Sequence, residues 1–198
     1  NTDNAFIVGK FYFEVVIKHF VDSLSIIQSV DFRNGKPKII DMGTGAGFPG
    51  LPLKIAFPNI EIVLADSLNK RVKFLNEVIQ QLGLTGIEAV HGRAETLGKD
   101  ISYREKFDYS VSRAVANLAV LSEYCIPFVK VGGYFISYKA GAVEEELNQA
   151  KRAINILGGN VKSCMNFALP GTDIQRAIIH IEKTKSTSKK YPRSEGKP

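Results

Sequence analysis

The stretch DMGTGAGFPG, Asp41 to Gly50, places four glycines in one turn behind a carboxylate. Glycine reaches backbone conformations closed to other residues and lets a ligand approach the main chain closely. The preceding run, Lys38 to Met42, reads as a short strand, and a short helix is predicted from about Leu51 to Phe57. In open α/β sheets a ligand binds beyond the carboxyl ends of the strands, near the point where the strand order reverses. The turn after the first strand is the expected place.

Working outward, strand and helix periods alternate along most of the chain. Upstream, residues 11–29 fit a helix with Val16, Phe20, Leu24 and Ile27 on one face. Downstream, Glu61 to Ala65 reads as a strand ending at Asp66. Apolar residues at 68, 72, 75, 79 and 82 then mark an amphipathic helix stopped by Gly83. Strands are predicted at Ile87–His91, Phe107–Ser112 and Gly133–Lys139, and helices at Leu118–Val129 and Val143–Leu157. Two late runs, Val161–Leu169 and Arg176–Glu182, have no helix between them and are expected to pair as a hairpin across Pro170-Gly171. The pattern predicts a mostly parallel, doubly wound α/β sheet with one reversed strand at its edge. Residues 1–30 are read as an N-terminal helical segment, 31–183 as the main domain and 184–198 as a basic tail.

Composition narrows the function class. The 198 residues, 44% of them hydrophobic, suffice for one domain that buries roughly 70% of its unfolded surface. No stretch approaches the roughly 20 apolar residues of a membrane span, and no signal peptide is recognised, so a cytoplasmic protein is expected. The first residue is Asn rather than Met, which places the expected natural start upstream. Cys125 and Cys164 lie in apolar surroundings without metal-ligand spacing and read as free thiols in a reducing compartment. Residues 183–198 carry six of the 26 basic groups and one of the 20 acidic ones, a local excess of +5 that leaves +1 for the rest. Such a tail reads either as an arm for a polyanion or as a solvated terminus.

Electrostatics chooses between ligands for the glycine turn. From Gly45 the letters spell G-x-G-x-x-G with Asp66 twenty-one residues later, which matches a dinucleotide fingerprint on spacing. A pyrophosphate there would meet Asp41, and two unit charges at 4 Å interact by about 4 kcal/mol at an effective dielectric near 20. S-adenosylmethionine has no phosphate and carries a sulfonium and an ammonium, so Asp41 becomes an asset. Gly43, Gly45 and Gly47 then admit the methionine portion, and Asp66 suits the ribose hydroxyls as a pure acceptor. The reading is a methyl donor, with no metal required.

Several further segments carry a resemblance. The Asp41–Gly50 turn, Asp66-Ser67-x-Asn69-Lys70-Arg71-x-x-Phe74-Leu75, Arg93-Ala94-Glu95 and Ser112-Arg113-Ala114 together resemble the bacterial ribosomal RNA small-subunit methyltransferase G family, also called glucose-inhibited division protein B. Lys18-His19-Phe20-x-Asp22-Ser23-Leu24 and the ending Tyr191-Pro192-Arg193-x-x-Gly196-x-Pro198 are similar as well, so the likeness runs from about residue 15 to the end. It implies a Rossmann-like class I methyltransferase with a seven-stranded sheet and a C-terminal antiparallel hairpin. The implied activity is methylation of N7 of a guanine, numbered 527, in a decoding-site loop of 16S rRNA. A methyltransferase acting on a small molecule or a protein is the alternative, and the basic arm argues against it.

The resemblance also implies roles. Gly43 and Phe48 correspond to donor-contacting positions, and Phe48 equally suits a staple packing the turn on its helix. Ala94 and Glu95 are expected near the adenine. Arg113 is placed in the donor or substrate site, facing the methionine carboxylate, an RNA phosphate or guanine O6. Spacing alone makes His19 and Asp22 a solvated helix face, and the resemblance raises them to an RNA-facing pair. Lys139, Lys189, Lys190, Arg193 and Lys197 are expected on phosphates of 16S rRNA or the small ribosomal subunit, with the enzyme a monomer. Guanine N7 has a free lone pair, so Arg113 and Lys139 are read as positioning groups and no general base is assigned.

Overall fold

A computed structural model describes residues 13–113 and 116–194. Seven strands form one sheet in the order β3-β2-β1-β4-β5-β7-β6. The strands β1 (Lys38–Met42), β2 (Glu61–Asp66), β3 (Ile87–His91), β4 (Phe107–Ser112) and β5 (Val129–Ala140) pair in parallel. The last two, β6 (Gly159–Ala168) and β7 (Gln175–Lys183), form an antiparallel hairpin, and β7 also pairs antiparallel with β5. The hairpin is the expected one, but its reversed strand lies second from the edge rather than at it. Burial explains the placement: Ile178, Ile179 and Ile181 of β7 are fully buried, whereas β6 is mostly half-buried or exposed. The more apolar strand takes the inner position.

Helices cover both faces. The first, α1, is built of a π-turn over Val16–Val21, an α-turn over Asp22–Leu24 and a 3-10 turn over Ser25–Gln28. The others are α2 (Gly50–Ala56), α3 (Asn69–Gln81), α4 (Ala94–Leu97), α5 (Leu118–Cys125) and α6 (Glu144–Ile156). Neighbouring strand residues point to opposite faces. Ile39 and Ile62 therefore join a core with Ile26 of α1, Leu53 of α2 and Leu75 of α3. Ile40 and Ala65 join a second core with Leu97, Leu121 and Ile154 from α4, α5 and α6. The helix predicted to reach Val129 ends at Cys125 in a 3-10 turn, Ile126–Phe128, because Pro127 offers no amide hydrogen to extend it.

The N-terminal helix departs from its expected face. Phe20 and Ile27, assigned to the apolar stripe, are 41% and 53% exposed, while Asp22, Ser23 and Ile26 are buried. Consecutive π and 3-10 turns break the 3.6-residue period on which that stripe was drawn. Residues 11 and 12 of that prediction lie outside the described residues.

Candidate active site

The strand order reverses between β1 and β4, and the turn after β1 lies there. Its backbone is tied to the neighbouring strand: the amides of Gly43 and Thr44 both donate to the Ala65 carbonyl, at 2.9 and 3.2 Å. Asp41 is completely buried beneath the turn. Its Oδ2 accepts from Thr44 Oγ1 at 2.7 Å and from the Gly50 amide at 2.8 Å. Its Oδ1 is buried without a hydrogen-bond partner, and burial pushes the carboxyl up to about 6. The carboxylate expected to face the donor's cationic groups therefore acts first as a clamp that closes the turn.

The four glycines divide into two pairs. Gly43 and Gly45 have φ of +73° and +62°, and a Cβ on either would point into open space. A Cβ on Gly47 would lie 2.3 Å from Leu51 Cδ1, and one on Gly50 would lie 2.2 Å from Leu64 Cδ2. The first pair opens the main chain to a ligand. The second pair, including Gly47 of the expected ligand set, lets α2 pack against the sheet.

Beside Gly43 lies a cavity of about 250 Å³, lined by Asp66, Ala94, Glu95, Leu121 and Tyr124 among others. Asp66, only 2% exposed, ends β2. Its oxygens accept from the Gly45 amide at 2.9 Å, the Leu68 amide at 2.9 Å and Arg71 Nη1 at 3.3 Å. A carboxylate offers about four acceptor sites, so at least one stays available to a hydroxyl. Ala94 and Glu95 begin α4 and meet α5 across the cavity, where the Tyr124 phenol stands beside the Glu95 carboxylate. Burial and the neighbouring acid hold that phenol above its ordinary range. Sequence reasoning missed Leu121 and Tyr124, although their i, i+3 spacing puts them on one helix face. An open glycine floor and a buried acid with acceptor capacity to spare have the chemistry to take the ribose of S-adenosylmethionine, and Ala94 and Glu95 line the same cavity.

A second cavity, about 580 Å³, opens at the same carboxyl edge among Lys18, His19, Asp22, Arg113, Lys139 and Arg176. Asp22 is 3% exposed, so the solvated face expected from spacing is an internal ion-pair centre. Its Oδ2 lies 3.3 Å from Arg113 Nη1 and its Oδ1 3.1 Å from Arg176 Nε. Arg113 Nη1 also donates to the carbonyls of Lys18 and His19, and its guanidinium lies 5.2 Å from the centre of the Phe48 ring. Phe48 packs further against His19 and Phe20, with ring centres 5.3 Å apart in each case. It packs on Arg113 and His19, which line this second cavity, and is itself in the lining of neither. Arg176 escaped sequence reasoning because nothing before folding links the start of β7 to α1.

The cations expected on RNA meet different fates. Lys139, its side chain 9% exposed, donates to the Ala116 carbonyl at 2.7 Å and to Glu146 Oε1 at 2.8 Å. Arg193 forms a two-pronged pair with Glu123, its Nη2 at 2.6 Å from Oε2 and its Nε at 3.1 Å from Oε1. Lys183, counted with the basic tail, is 1% exposed against the carbonyls of Ile126 and Val129 and beside Glu105. Burial lowers its ammonium to about 8. Two of the six cations of residues 183–198 are thus already paired within the protein. Lys189 and Lys190 remain exposed, and Lys197 lies outside the described residues.

Among the described residues no group of three acidic, histidine or cysteine side chains is placed to hold a metal ion. No described helix is long and apolar enough to cross a membrane. Cys125 and Cys164 are both free thiols, and burial raises each.

A mostly parallel sheet with a glycine turn at its switch point, an acid ending the second strand and a second cavity on the same edge define an S-adenosylmethionine-dependent Rossmann-like methyltransferase. P. horikoshii TYW2 in complex with MeSAdo shares the fold at a TM-score of 0.64, with 15% identity over 85% of this chain and 63% of that one. The model of the rRNA small subunit methyltransferase G family matches residues 6–196. The ribosomal RNA small subunit methyltransferase G of Lachnoclostridium phytofermentans is 56% identical over 94% of this chain and 77% of its own length. That of Alkaliphilus metalliredigens is 54% identical over 93% and 77%. The chain belongs to this family.

Proposed function

We propose that the protein moves a methyl group from S-adenosylmethionine to N7 of a guanine in 16S rRNA, position 527 being the target that its family resemblance implies. The observation that carries this reading is the pair of cavities on one sheet edge. One has the glycine floor and Asp66; the other holds two guanidiniums anchored on one buried acid.

S-adenosylmethionine supplies the electrophilic methyl group. Guanine N7 brings its own lone pair, so the protein's task is alignment, and well-oriented encounters lower barriers by roughly 7–11 kcal/mol. Asp66 and the α4 start fix the donor's nucleoside end. Asp22 holds Arg113 and Arg176 at the acceptor cavity, where a planar guanidinium suits O6 or a phosphate. Positive charge passes to the base as the bond forms, so an arginine aimed at N7 itself would oppose reaction. Arg113, within 3.3 Å of Asp22, carries a partly neutralised charge into that setting. N7 lies on a base edge hidden in A-form RNA, so the target base must be unstacked or looped.

The expected +5 arm no longer separates RNA from a small-molecule substrate, since Arg193 and Lys183 are internally paired. The doubly cationic acceptor cavity and the family membership support RNA instead. We place the enzyme in the cytoplasm, acting as a monomer on ribosomal RNA or the small subunit. Incubating it with labelled donor and small subunits from cells lacking the activity, then mapping the modified nucleotide, tests the reading. Label on N7 of one guanine is expected; label absent from RNA, or on a ring carbon, overturns it.

A further inference from the structure

The ending Tyr191-Pro192-Arg193 stands out in the sequence, and the proposed reaction leaves it unused. In the structure it belongs to a strap that runs behind the donor cavity. Arg104 ties the strap down: its guanidinium donates to the carbonyls of Gly98, Thr187, Ser188 and Tyr191, at 2.7 to 3.2 Å. The Thr187 amide donates to Glu105 Oε1 at 2.8 Å, and its buried hydroxyl donates to the Leu157 carbonyl at 2.6 Å. Thus anchored, the strap touches both short helices that wall the adenine end.

Behind α4, Pro192 is buried and lies so close to Gly98 that a Cβ there would meet its Cγ at 3.0 Å. Behind α5, Arg193 grips Glu123, which is 4% exposed, and the Arg193 amide donates to Glu123 Oε1 at 2.6 Å. Glu123 immediately precedes Tyr124, which lines the cavity together with Glu95 of α4. The two walls have four and eight residues. Helices this short are marginal on their own and take their stability from packing. What braces them from behind fixes the cavity between them.

We propose that the C-terminal strap sets the adenine end of the donor pocket, with Arg193 as a positioning residue acting through Glu123 and Tyr124. This rests on the reading of the 250 Å³ cavity as the adenosyl site. It assigns the tail's arginine to donor affinity and not to RNA.

Three proteins test it: Arg193→Ala, Arg193→Lys and Glu123→Gln, each titrated with S-adenosylhomocysteine and with 5′-methylthioadenosine, which lacks the amino-acid end. Arg193→Ala is expected to weaken both ligands roughly tenfold, about 1.4 kcal/mol of binding free energy. The donor KM should rise with kcat at saturating donor and RNA affinity unchanged. Arg193→Lys should recover part of the loss, and Glu123→Gln should match Arg193→Ala. Unchanged affinity in Arg193→Ala, with RNA binding weakened instead, overturns the proposal. So does equal weakening of donor and RNA together with a collapsed melting transition in all three. Asp66→Asn is the control for the pocket itself: if it too binds both ligands normally, the site assignment is what fails.

Discussion

Asp41 Oδ2 lies 2.8 Å from the amide nitrogen of Gly50, nine residues further along the chain. The buried carboxylate closes a ten-residue turn on itself, and its other oxygen finds no partner. With its folded pKa near 6 against an ordinary 3.8, the folded protein holds this proton more tightly than the unfolded chain does. The group's contribution is complete below about pH 4 and is lost as pH rises to about 6, a change of about 3 kcal/mol. Asp41→Asn cannot titrate. Urea unfolding without donor at pH 4.5 and 7 should show the wild type losing ground to the variant as pH rises; a constant difference would contradict the assignment.

Asp66 loses its charge but keeps its shape in Asp66→Asn. Hydrogen bonds to charged groups contribute about 1.5–3 kcal/mol, so S-adenosylhomocysteine binding should weaken roughly tenfold to a hundredfold by calorimetry. A nicotinamide dinucleotide should bind neither protein. Wild-type affinity in the variant would remove Asp66 from the site.

Gly45→Ala and Gly50→Ala should separate ligand approach from packing. Alanine at 45 meets no atom within 4 Å but is held at φ +62° and intrudes on the turn's open side, so donor affinity should fall more than stability. Alanine at 50 collides with Leu64 and crowds Asp41, and such overpacking typically costs about 1–3 kcal/mol. Melting and donor titration of both variants decide the matter, and equal losses in both would erase the distinction.

Asp22→Ala leaves Arg113 and Arg176 without their shared carboxylate. Removing one partner of a buried ion pair costs about 3–5 kcal/mol, so the melting transition should drop clearly. At a temperature where the variant is folded, RNA methylation should be severely reduced while S-adenosylhomocysteine binds as before. Preserved methylation would sink the acceptor-cavity reading.

Lys189 and Lys190 are exposed cations of the tail. If each meets one phosphate, replacing both with alanine should flatten the log–log salt dependence of RNA binding by about 1.4, at about 0.7 per contact on single strands. An unaltered slope would mean these lysines are merely solvated.

Most of the fold was legible because the parallel strands and their helices obey local periods. Lys38–Met42, Ile87–His91 and Phe107–Ser112 fall where hydrophobic runs put them. The N-terminal helix was misread because its π and 3-10 turns leave no periodic trace in the sequence. Gly43, Asp66, Ala94 and Glu95 line one cavity for a related reason: they lie at strand ends that the sequence marks. The ion-pair centre of the second cavity left no such mark. Asp22, Arg113 and Arg176 come from three distant segments, and their meeting depends on how α1 and β7 close on the sheet. Composition counts the tail's charges without showing that Arg193 and Lys183 already have partners.

The reversal of β7 has a consequence for how the acceptor cavity is built. Parallel strands bring only their final residues to the working edge, whereas a strand running the other way delivers its first ones, and Arg176 stands directly opposite Ala140, the last residue of β5. The loop of residues 169–174 that feeds β7 therefore hangs over the same rim. Insertions in that loop would remodel the entrance for the nucleic acid without disturbing a single sheet hydrogen bond.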